Sequence, residues 1–167
     1  RQMCIRDRPK PADANAFAVR DQVVIELRST WQSGGATYPQ GALLAADFDA
    51  FLRGEAVFET LFLPSPQTSL DGLTVTRDAL LLTVLDRVRN RIVELRRADG
   101  RWQARNVGLP DMGALDTWAV DRIASNGYFL TMTGFTEPPS LYLMHAGSDV
   151  PVALKAMPAF YQAAGLQ

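Results

Sequence analysis

Residues Arg77 to Val107, RDALLLTVLDRVRNRIVELRRADGRWQARNV, decide the fold. β-Branched and leucine-rich runs (Ala79 to Leu85, Arg91 to Leu95, Trp102 to Val107) are separated by short polar breaks, which predicts three consecutive strands. Asp99-Gly100 is the dipeptide that a two-residue type I′ hairpin requires, so the strands form an antiparallel meander. Along the last of them Trp102, Ala104 and Asn106 fall on one face and Gln103, Arg105 and Val107 on the other, the period of an outer, half-wet strand. Leu80-Leu81-Leu82 alternates with nothing. A strand of that composition is covered on both faces, which requires another sheet stacked on this one.

Upstream, the same unit occurs once before. Ala16 to Val19 predicts a short strand, Arg20-Asp21 a tight turn, and Val23 to Leu27 a second strand. Ser29 to Gln40 is a polar break containing Gly34-Gly35 and Pro39. Gly41 to Phe48 is a third strand, Asp49 to Gly54 a helical turn ended by glycine, and Val57 to Leu63 a fourth strand. Pro64, Ser65 and Pro66 mark a boundary. The pattern restarts with Ser69 to Thr76 and the turn Arg77-Asp78, and AVRDQVV (18–24) is echoed by VTRDALL (75–81). A third copy follows: Leu115 to Val120, the turn Ser125-Asn126-Gly127, Tyr128 to Thr133, Ser140 to His145 and a short Pro151 to Leu154. Second strands begin near Val23, Ala79 and Tyr128, a spacing of roughly fifty residues that suits a propeller blade with generous loops. The expected fold is therefore all-β, a partial β-propeller of about three four-stranded antiparallel blades (about 16–63, 69–109 and 115–155). A β-sandwich is the runner-up, weaker because Greek-key order leaves the repeated turn before each second strand unexplained.

Of the 167 residues 47% are hydrophobic, enough for a sizeable core, yet no apolar run is long enough to cross a bilayer as a helix. Seventeen basic residues stand against eighteen acidic ones, evenly spread, which gives no electrostatic reason to expect nucleic acid or a membrane as partner. The only cysteine is Cys4, so neither a disulfide framework nor a thiolate metal site is expected, and the compartment is not legible. Residues 1–8, RQMCIRDR, have no signal-peptide layout and do not match the composition that follows. They resemble a translated adaptor remnant at the end of a reading frame, which would make the chain a piece of a longer protein.

Few residues offer chemistry. His145, the single histidine, lies at a strand end without a metal-spaced partner or nucleophile and reads as structural or surface. Asp47 and Asp49 read as turn and cap devices in preference to an acid/base couple. The basic run Arg87, Arg89, Arg91, Arg96, Arg97, Arg101 and Arg105 is interleaved with Asp86, Glu94 and Asp99. It reads as a solvated, charge-protected blade edge in preference to a phosphate site. Trp31, Tyr38, Trp102, Trp118 and Tyr142 are expected to pack between blades. Without a glycine-rich phosphate loop, an HExxH pair or a GxSxG elbow, no catalytic, cofactor-binding or metal residue is assigned, and no cofactor is expected.

Read in order, several pieces resemble the later blades of the seven-bladed propeller domain of the prolyl oligopeptidase family of serine peptidases. They are Arg28-Ser29 with Trp31; Tyr38-Pro39 with Gly41, Leu43 and Leu44; Phe51-Leu52 with Gly54; and Leu61-Phe62 with Pro64. Then come Thr68-Ser69-Leu70; Leu85-Asp86 with Val88-Arg89 and Arg91; and Phe135 with Pro138 and Ser140-Leu141-Tyr142. Leu154-Lys155-Ala156, with Pro158, Phe160, Gly165 and Leu166, looks like the linker (156–167) that leaves the last blade for the α/β-hydrolase domain. The resemblance implies a parent enzyme that cleaves short peptides, usually after proline, with the serine, aspartate and histidine all in a hydrolase domain beyond Gln167. The partners it implies are that domain and short peptide substrates. The implied task of this chain is to cover the active site and gate access to it, with no activity of its own. A non-catalytic interaction platform is the alternative, because propellers host many unrelated tasks. A sugar-cleaving propeller would need inward carboxylates. Asp21, Asp78 and Asp121 recur at equivalent places, but turn chemistry accounts for them more simply.

Overall fold

The computed structural model describes residues 10–109, 113–134 and 138–158. Cys4 and the rest of 1–8, Phe135, and Phe160, Gly165 and Leu166 lie outside them. The chain divides into two compact units between Ser65 and Pro66, at the proline-marked boundary.

In the first unit β1 (Asn15–Val19), β2 (Gln22–Glu26), β5 (Leu43–Asp47) and β6 (Glu59–Phe62) form an antiparallel four-stranded sheet in that order. The stretch read as a polar break holds a hairpin, β3 (Trp31–Ser33) and β4 (Ala36–Tyr38), whose turn residues Gly34 and Gly35 both have positive φ (58° and 78°). Helix α1 (Phe48–Arg53) follows β5. Asp47 caps its start, accepting the Ala50 amide at 2.8 Å, and Gly54 ends it at φ 80°. One face of the sheet buries Val23, Ile25, Leu44 and Ala46 together with Phe51 of α1, and Trp31, Tyr38 and Phe58 pack onto that cluster. Trp31 meets Phe58 edge-on at 5.1 Å between centroids. Trp31 and Tyr38 were expected to pack between blades. They instead line their own unit, because a three-residue hairpin has no second layer and must bury its rings on the sheet that carries it.

The second unit contains two sheets. In the first, β7 (Thr68–Val75), β8 (Ala79–Asp86), β9 (Arg89–Ala98) and β10 (Arg101–Asn106) lie in the order β10-β9-β8-β7. Every residue from Ala79 to Val84 is buried, as the unalternating leucine run requires. Asp99 (φ 51°) and Gly100 (φ 76°) form the left-handed pair of the predicted turn. The other sheet is β11 (Ala114–Ala119), β12 (Gly127–Thr133), β13 (Ser140–His145) and β14 (Val152–Ala156), in chain order. β14 takes in Leu154, Lys155 and Ala156, the start of the stretch likened to a linker, because its register with β13 resumes beyond a bulge at Leu141/Tyr142.

Between these two sheets lies one apolar seam: Leu81, Ile92 and Val107 against Leu115, Tyr128, Leu130, Met132 and Met144, with Tyr142 packed on it as expected. Trp118 is not in the seam. Strict alternation turns it to the other face of β11, where it is 41% exposed and pairs with Phe129. Each four-stranded sheet is built from strands adjacent in its own stretch of chain, and none is exchanged between sheets. That is the sequential pattern of a partial β-propeller and not the Greek-key exchange of a sandwich.

Candidate functional site

The residues singled out for chemistry stand at a strand end, in turns and at the start of a helix. His145 is exposed at the end of β13, and its carbonyl accepts the Ser148 amide at 3.0 Å. Asp47 is the cap already described, and Asp49 sits in the first turn of α1, where a carboxylate suits the helix dipole. Asp121 accepts the amides of Ile123 (2.8 Å) and Ala124 (2.9 Å). Those backbone bonds, Ala124 foremost, hold its carboxyl below the usual range. Asp21 sits in the β1–β2 turn, where its carbonyl accepts the Phe48 amide at 2.8 Å. Among the described residues no three His, Cys, Asp or Glu side chains gather into a metal site.

What the second unit does offer is a groove along its inner strands. β7 and β11 are the first strands of their sheets and run beside each other. Thr74 Oγ1 donates to the Thr117 carbonyl at 2.7 Å, and Thr117 Oγ1 donates back to Thr74 Oγ1 at 2.9 Å. Nearby, the Asp78 amide donates to Asn126 Oδ1 (2.8 Å), Asn126 Nδ2 donates to Asp78 Oδ2 (2.7 Å), and the Arg77 amide donates to the Ser125 carbonyl (3.0 Å). Asp78 was read as a turn residue of its own blade. It also clamps the turn of the next one, because Asn126 presents both a donor and an acceptor to it. Beside these stitches Leu73 to Val75 and Thr117 to Arg122 line an open groove of about 600 Å³. A second groove, of about 550 Å³, opens at the β8–β9 end of the seam between Asp86 to Ile92 and Val107, Leu109 and Leu115.

The basic run departs furthest from its reading as a wet edge. Glu94 is 1% exposed, in the seam. Its Oε2 accepts Arg105 Nη2 at 2.8 Å and the Gly147 amide at 2.9 Å, and Arg96 Nε lies 3.5 Å from Oε1. Arg105 continues to Asp149 Oδ1 (2.6 Å) and to the Ser148 carbonyl (3.2 Å). The Gly108 amide also donates to Asp149 Oδ1, at 3.1 Å. These bonds, Arg105 first, hold the Asp149 carboxyl below its ordinary range. Burial, with the Glu94 charge adding to it, pushes the Tyr128 phenol up to about 12. Elsewhere in the run Arg91 bonds Asn106 (2.9 Å) and Arg87 bonds Gln67 (3.3 Å). The chain thus supplies grooves and a buried ionic network, and among the described residues no nucleophile lies beside a base in either groove.

No family model matches the chain. Uncharacterized peptidase y4nA of Sinorhizobium fredii (strain NBRC 101917 / NGR234) is 30% identical over 151 residues, covering 89% of this chain and 21% of the relative. Among solved structures, a post-proline cleaving enzyme from Rickettsia typhi superposes with a TM-score of 0.73 at 20% identity, over 93% of this chain and 23% of that one. A prolyl endopeptidase, one of two studied for the role of inter-domain dynamics in catalysis and specificity, superposes with a TM-score of 0.65 at 15% identity. That match covers 89% of this chain and 20% of the other. The chain spans about a fifth of the length of the curated relative it matches.

Proposed function

We propose, starting from a chain with a partial β-propeller fold and a resemblance to the prolyl oligopeptidase family, that these sheets belong to the cover of a larger serine peptidase. In this role they admit short peptides to an active site carried by another domain. The observation that carries the reading is the match of nearly the whole chain to about a fifth of larger proteins described as peptidases. Physics supplies the reason for such a cover. Blades over the mouth of a hydrolase pocket pass only a flexible chain of limited size, and closing the pocket excludes water from the reacting centre. The groove beside β7 and β11 is an open, mixed polar and apolar surface suited to loose contact with a passing peptide.

The test has two arms. The chain alone, mixed with short proline-containing peptides, is expected to give no hydrolysis, and turnover by a clean preparation would overturn the reading. The whole protein is expected to cleave those peptides and to leave folded proteins intact. Equal turnover of folded proteins would remove the gating role.

A further inference from the structure

We propose that the seam between the β7–β10 and β11–β14 sheets is a one-sided hinge, stitched along its inner edge and latched at its outer edge by Glu94, Arg105 and Asp149. The two edges are built from different chemistry. At the inner edge every bond across the seam has a neutral partner: Thr74 and Thr117, 8% and 9% exposed, share a carbonyl and two hydroxyls, and the Asp78 carboxylate meets the uncharged Asn126 amide. Bonds of that kind depend little on ionic strength. At the outer edge the partners are ions. Arg105 stands on β10, the strand farthest from β7, and Ser148 and Asp149 stand in the β13–β14 loop, away from β11. The Arg105 side chain is 34% exposed and that of Asp149 50%, so water and salt reach this pair directly.

Glu94 makes the latch two-state. It is wholly buried, and its Oε2 is shared between Arg105 and the Gly147 amide. If the loop lifts partway, the carboxylate keeps Arg105 and Arg96 but loses the amide before water can replace it, and a buried charge missing one of its three partners is costlier than either end state. Closed and fully lifted are therefore the two favourable arrangements. Gly147 fits the closed one: its φ is 92°, and a Cβ there would come within 3.1 Å of Arg96 Nη1. Apolar contact along Leu81, Ile92 and Tyr128 keeps the closed state the major one. The device stands on this geometry alone and holds whether or not the parent is a peptidase.

Hydrogen exchange on the chain reads it directly. In Glu94→Gln, amides of β13 and the 146–150 loop are expected to exchange roughly tenfold faster, the loss of one charge-assisted bond. Amides of β8 and β11 are expected to keep their wild-type rates. Adding about 1 M salt to the wild type, which shortens the screening length to ~3 Å, should reproduce the effect without any substitution and change Asp149→Asn little. A rise spread evenly over the second unit would show that it opens as one body and overturn the hinge. Unchanged exchange in the 146–150 loop in both the variant and high salt would overturn the latch.

Discussion

Asp149 is the residue whose titration is easiest to follow, because its carboxyl is held low by Arg105 and by the Gly108 amide. A carboxylate with a lowered folded pKa contributes stability that is present above its unfolded value and lost as pH falls through the folded one. Wild type should therefore lose thermal stability below about pH 4 more steeply than Asp149→Asn, with the two curves converging in acid. Parallel curves would show that the Arg105 pair contributes nothing. The sequence revealed the local residues and not these. Asp99-Gly100 could be read because two adjacent left-handed residues are a local demand. In the sequence Glu94 and Arg105 look like a solvated edge, because a run of mixed charges looks the same until the β13–β14 loop, over forty residues away, is laid against it. Asp78 was only half legible for the same reason: its turn is local, and its bond to Asn126 is not.

Element boundaries were more accessible. Period and punctuation are local, so strands β7 to β13 fall close to their expected places, and helix α1 lies within a residue of the turn expected from Asp49 to Gly54. The β3–β4 hairpin escaped, since three-residue strands show no usable period. Gly34-Gly35 was the signal that could have revealed it. That hairpin matters to its unit, because its rings cover the sheet face that also buries Phe51. Phe51→Ala should cost about 3–5 kcal/mol, and should shift Trp31 emission to the red as the hairpin loosens. A stability loss without a spectral change would mean that the hairpin is held independently of α1.

Across the whole molecule, alternation leaves one apolar row facing away from the seam. Trp118, Phe129, Leu143 and Val152 are cross-strand neighbours on all four strands of the last sheet, with Trp118 41% and Val152 55% exposed. A row of that kind favours association. The chain should self-associate at micromolar concentration in sedimentation, and Phe129→Glu should reduce it. A tight monomer in wild type would argue that the row needs no cover. The repeat, legible as an echo between residues 18–24 and 75–81, led to the propeller, while its place in a larger protein came from the resemblance. The most direct measurement is the sequence of the intact reading frame beyond Gln167. The frame is expected to continue into strands and a Gly-x-Ser-x-Gly elbow, with aspartate and then histidine further on; a stop codon shortly after Gln167 would overturn the reading of these sheets as the cover of a peptidase.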